Sequence, residues 1–183
     1  MKKLILLALL IALPCQAQEL ARMNPAILGA GVVAAGTTYV YPNNVSTFAD
    51  TSNSITSTVV VGDTIAGVTQ TITKLGFYIA DPQSATECSV GIFANTEVPG
   101  SSLGGCYFSP ASNTWGECTV SYGMSSGTTY TLWGHCNNEY KIKSSTSSCT
   151  PYYATEITYV QGMETIEASR FSDTGCNGFR IGY

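Results

Sequence analysis

The residues able to do chemistry in this 183-residue chain are few, and His135 is its only histidine. Nucleophilic catalysis of the serine type needs a base beside the nucleophile, so any such site would have to use it. Glycoside hydrolysis needs two carboxylates at a set separation across a cleft. Glu87 with Glu117 and Glu156 with Glu164 are the nearest to candidates, but their spacing alone brings neither pair together. No catalytic residue is therefore expected, and His135 reads as a solvated strand histidine. Sugar recognition asks for less, namely aromatic rings to stack on the apolar face of a pyranose with amides and hydroxyls around them. Trp133, Tyr78 and Phe93 are the candidate ligand-binding residues, because strand alternation sets each opposite a predicted core set; Tyr122, Tyr140 and Tyr152 follow them. The competing reading of each ring is core or edge packing, with Trp115 plugging an end of the fold.

Seven cysteines become six if Cys15 leaves with a signal peptide, and an even number in an exported chain implies three disulfides. Cys88, Cys106, Cys118, Cys136, Cys149 and Cys176 allow 15 pairings. Hairpins about residues 98–100 and 125–127 would place Cys88 opposite Cys106 and Cys118 opposite Cys136, leaving Cys149 for Cys176. No C-x-x-C pair is present and the lone histidine adjoins Cys136, so no metal set is read from the cysteines. No Asp-rich calcium loop stands out, and no cofactor is expected.

Residues 1–17 have the parts of a secretory signal: Lys2 and Lys3, the apolar run LILLALLIAL, and Cys15-Gln16-Ala17, with cleavage after Ala17. A lipoprotein reading would acylate Cys15, but Pro14 stands where such boxes want a small residue. About ten apolar residues are too few to span a bilayer, for which about 20 are needed. The expected location is secreted or cell surface, with no transmembrane segment. Without Lys2 and Lys3, six basic residues face twelve acidic ones, and no Lys/Arg cluster is present, which argues against nucleic acid as a partner.

The elements that must position these residues are strands. Residues 72–136 alternate strand-like runs (ITKLGFYIA, CSVGIFA, CYFS, ECTVSY, TTYTLWGHC) with turn chemistry (DPQS, EVPGSS, PASN, GMSSG), the rhythm of an all-β sandwich or barrel. Leu75, Phe77 and Ile79 share one face, as do Cys88, Val90 and Ile92, and Tyr130, Leu132, Gly134 and Cys136; period two assigns these to the core. Gly62-Asp63 reads as a turn, and EYKIKS (139–144) as a charged edge strand whose lysines discourage intermolecular pairing. Residues 161–169 are ambiguous between strand and a helical turn. Asn44-Val45-Ser46 matches the glycosylation pattern. Residues 18–36, ending in PAILGAGVVAAG, form a small-residue apolar arm: either a leader into the fold or a surface for homo-oligomer contacts. Residues 37–183 are then one disulfide-stapled antiparallel β-sandwich of eight to eleven strands.

The signals TKLGFYI (73–79), VGIF (90–93), PGSSL (99–103), Trp115 with Val120-Ser121, and GTTYTL (127–132) resemble a family of extracellular jelly-roll modules. That resemblance implies a jelly-roll-like sandwich and a binding or surface role, since such modules accompany carbohydrate-active or adhesive chains. The six cysteines depart from the family pattern. Together these readings give a non-catalytic binding or adhesion module for carbohydrate or a cell-surface glycan. The alternative is a structural subunit of an extracellular assembly, appendage or virion, associating through the arm or an edge strand.

Overall fold

A computed structural model describes residues 36–42, 52–145, 151–172 and 176–183. The chain divides into units 1–36 and 37–183, and the fold described is that of the second. Residues 1–17, read from the sequence as a signal peptide, nearly all of the 18–36 arm, Asn44 and Cys149 lie outside the described residues. In chain order the strands are β1 (Tyr39–Val40), β2 (Ser52–Ile55), β3 (Val60–Ala66), β4 (Thr71–Asp81), β5 (Cys88–Ala94), β6 (Gly100–Ser101), β7 (Gly104–Phe108) and β8 (Thr114–Gly123). They continue as β9 (Thr129–Cys136), β10 (Tyr140–Ser145), β11 (Pro151–Ala154), β12 (Thr165–Ile166), β13 (Phe171–Ser172), β14 (Cys176–Asn177) and β15 (Phe179–Gly182). All the pairings among them are antiparallel. No helix among the described residues is long and apolar enough to cross a membrane.

Eight strands make the frame. One sheet runs β2-β10-β4-β8 and the other β3-β9-β5-β7. Numbered along the chain, those orders are 1-8-3-6 and 2-7-4-5, the strand order of a jelly roll. The first, the β4 sheet, is widened because the flank of β4 opposite β8 is shared. Residues 74–77 pair with β15 and residues 79 and 81 with β10, while β1 adds outside β15. The second, the β9 sheet, gains β11 and β13 beyond β3. The described strands thus exceed the eight to eleven expected, because short strands extend both sheets.

Between the sheets lies the core that period-two alternation sets up. Leu75, Phe77 and Ile79 from β4 meet Val90, Ile92 and Leu132 from β5 and β9, all fully buried in one cluster. Phe77 stacks on Phe179 at 4.8 Å and takes the edge of Tyr140 at 6.0 Å. Burying each such side chain removes about 1.5–3 kcal/mol of apolar exposure. Gly62 and Asp63 are not a turn but lie inside β3, and Asp63 points into this core with no exposure. It accepts backbone N–H bonds from Thr64 (2.9 Å) and Asn177 (3.1 Å), and the Asn177 amide donates to the Gly62 carbonyl (3.0 Å). These bonds tie β14 to the opposite sheet, and desolvation pushes the Asp63 carboxyl up to about 7.

The expected cysteine pairing is corrected. In the β5–β7 ladder Cys88 faces Phe108, and Val90 faces Cys106; on its other flank Cys88 faces Cys136 in β9. The bonds are Cys88–Cys136, within one sheet, and Cys106–Cys118, which joins β7 to β8 across the two sheets. Hairpin spacing sets strands adjacent in sequence side by side in space, whereas the jelly roll puts β9 beside β5. Their sequence separations are 48 and 12, for which the chain-entropy model gives about 4 and about 3 kcal/mol. Cys176 is disulfide-bonded too. EYKIKS likewise is no edge: β10 pairs with β2, β4 and β14, and buries Tyr140 and Ile142.

Candidate functional site

The two sheets treat their outer faces differently. Over the β9 sheet the chain from 155 to 168 folds back as a cover, burying Phe93, Trp133, Met163 and Ile166 with Val60 and Ala154 in a second apolar cluster. Hydrogen bonds hold it down: Ile157 N–H to the Thr58 carbonyl (3.1 Å), Gly162 N–H to Ser89 Oγ (2.9 Å), and the β6–β12 pairing. Tyr159 donates to Glu87 Oε1 at 2.8 Å and lies 2.9 Å from Ser89 Oγ. Burial pushes the Tyr159 hydroxyl well above its usual range.

Across the outer face of the β4 sheet no such segment lies among the described residues, and a cluster of rings is half-exposed there. Tyr78 on β4 is the register partner of Trp115 on β8, with ring centroids 5.4 Å apart and planes near perpendicular. Tyr41, just past β1, reaches Trp115 at 5.8 Å. Between these strands lies Arg180 of β15, its guanidinium carbon 4.1 Å from the Tyr39 ring centre and 4.3 Å from that of Trp115. Such contacts contribute about 0.5–1 kcal/mol each where exposed. Gly76 is what lets the arginine lie flat, since a Cβ there would meet Arg180 Cγ at 2.8 Å.

One carboxylate organises the cluster. Glu117 Oε1 accepts from Arg180 Nε (2.9 Å) and Nη2 (2.7 Å), and Oε2 accepts from the Tyr39 hydroxyl (3.1 Å). Lys74 Nζ stands 3.9 Å from Oε2, within ion-pair range but beyond a hydrogen bond. Desolvation, then the bond to Glu117, raises the Tyr39 hydroxyl. The Tyr78 hydroxyl donates to Asn113 Oδ1 at 3.0 Å, so an exposed amide adjoins the rings. The arrangement is a shallow ring surface with donors and acceptors at its border.

No family model matches the chain, and no curated protein matches it. Among solved structures, the A domain of epithelial adhesin 6 from Candida glabrata, in complex with Galb1-3GlcNAc, overlays with a TM-score of 0.22 at 11% identity. The overlay covers 78% of this chain and 69% of the adhesin domain. A likeness of that size carries no argument.

Of the three ring candidates from the sequence, only Tyr78 is in the half-exposed cluster. Trp133 and Phe93 are fully buried beneath the 155–168 segment, so the exposure expected of them does not hold. His135 is buried as well: Nε2 bonds the Ser57 carbonyl at 2.8 Å, the ring packs on Tyr159 at 5.4 Å, and desolvation lowers its pKa. Ser89 and His135 are cross-strand partners, and both are engaged in holding the covered face. Residues 100–104 and 123–127 do carry the G-x-S-x-G spacing, but on turns and short strands with no helix following, unlike the strand-to-helix elbow that exposes a nucleophile. Trp115 plugs no end of the sandwich. Sequence reasoning missed Arg180 and Tyr39, and named Glu117 only as a carboxylate partner of Glu87, which instead bonds Tyr159; the one available signal was that Trp115 and Glu117 alternate on a strand with Tyr78 predicted outward on another.

Proposed function

We propose that the chain is a secreted or surface-displayed, non-catalytic jelly-roll module that binds carbohydrate on the outer face of its β4 sheet. The observation that carries this is the cluster of Tyr41, Tyr78 and Trp115, half-exposed on the face where β-sandwich strands ordinarily present polar side chains. Tyr78 and Trp115 are held by strands and lose little entropy on binding, and a pyranose face stacking on either would find the Asn113 amide beside it. The jelly-roll order of the strands and the resemblance of residues 73–132 to extracellular modules support the same reading. The disulfides suit an oxidising compartment.

Glycan-array binding of the mature chain tests it. The expected result is binding to at least one glycan class, lost in Trp115→Ala and weakened in Tyr41→Ala with the melting temperature little changed. No binding to any glycan by the folded chain would sink the proposal.

A further inference from the structure

Charge within the ring cluster names the ligand more closely, an argument that rests on the carbohydrate reading above. Three charged side chains meet there from three strands: Lys74 from β4, Glu117 from β8 and Arg180 from β15. Among the described residues one carboxylate therefore faces two cations, which leaves one positive charge there uncompensated. Arg180 uses Nε and Nη2 on Glu117 Oε1, and among the described residues no acceptor takes the donors of Nη1. Lys74 is the looser cation, 39% exposed and making no hydrogen bond at its 3.9 Å approach to Glu117.

The surplus is unusual for this chain, which has eight basic residues against twelve acidic ones. A neutral sugar would need only rings, amides and hydroxyls. A positive charge fixed at the border of a ring surface is instead the complement of an anionic group on a sugar, whose charge-assisted bonds are shorter and stronger than neutral ones. Arg180 is pre-oriented by its two flanking rings and its carboxylate, so little rotamer freedom remains to be lost when an anion arrives.

We infer that the ring cluster of the β4 sheet recognises an acidic sugar, a ring bearing a carboxylate or a sulfate, with Lys74 and the outward edge of Arg180 taking the anionic group. The test compares matched oligosaccharides on the mature chain by calorimetry: a uronate-terminated glycan, its sulfated counterpart and the neutral parent. The acidic members are expected to bind about tenfold tighter than the parent, an advantage that shrinks as salt is raised from 0.05 to 0.5 M. Lys74→Gln should bring the acidic-to-neutral ratio toward one without lowering the melting temperature. The two acidic arms separate carboxylate from sulfate as the source of the anion. Equal or tighter binding of the neutral parent, itself lost in Trp115→Ala, would overturn this inference and leave the carbohydrate reading standing. Absence of binding by all three, and by every glycan of an array, would remove both.

Discussion

The two outer faces of this sandwich begin from similar strand chemistry and end in opposite states. Both carry a tryptophan at an outward position of a long strand, Trp133 on β9 and Trp115 on β8, with a second ring on the neighbouring strand. The 155–168 segment lies over the first and turns it into core. The second stays half-exposed and packs against an arginine and two tyrosines. An outward strand position therefore means out of the sandwich, which is not the same as out to solvent. Among the described residues, what separates the two faces is the 155–168 segment that folds back over one of them.

Three measurements would break or sharpen that contrast. The largest effect is expected from Trp133→Ala, which empties the covered cluster and should cost about 3–5 kcal/mol in denaturant unfolding. Trp115→Ala removes a half-exposed ring and should cost about 1 kcal/mol, mainly its contact with Arg180. Equal costs for the two would mean that the faces do not differ as described.

The next effect concerns the anchor that leads the chain to the half-exposed face. Asn177, held to Asp63 and Gly62, precedes β15 and so fixes where Arg180 arrives. The folded-state pKa of Asp63 is raised to about 7 from 3.8. Its protonated form is thus favoured by folding: the contribution is fully present below about pH 4 and is lost as pH rises through 7. On the order of 4 kcal/mol is at stake in this one group. Unfolding free energy measured from pH 4 to pH 8 should fall through that window, and Asp63→Asn should flatten the curve. A wild-type profile that rises from pH 5 to pH 8 would contradict the assignment. The smallest effect is the loss of charge preference in Lys74→Gln, which leaves the fold untouched.

Much of the scaffold was legible in the residues. Alternation on 71–81, 88–94 and 129–136 named the core correctly, because a half-buried strand must put its apolar set on one face. Pro99-Gly100 marked a turn, and Gly100 does adopt φ 70° there. What failed was everything that depends on which strands are neighbours. Cys88 was matched to a cysteine two positions from its true facing residue on β7, while its partner came from β9, which is 48 residues away. Lysines in EYKIKS suggested an edge, yet Lys141 and Lys143 alternate with the buried Tyr140 and Ile142 on a strand with partners on both sides. The binding surface was half legible for the same reason. Tyr78 could be placed outward from its own strand, but Arg180 reaches it from a strand about a hundred residues later, and no local pattern announces that arrival.

Tryptophan fluorescence tests the central claim most directly, since the chain has only two tryptophans. In Trp133→Phe the remaining emission comes from Trp115 and should be quenched by acrylamide, then protected when a bound glycan is added. Emission in Trp115→Phe should resist quenching with or without glycan. Protection of Trp133 but not Trp115, or a Trp115 that acrylamide does not reach, would contradict the account.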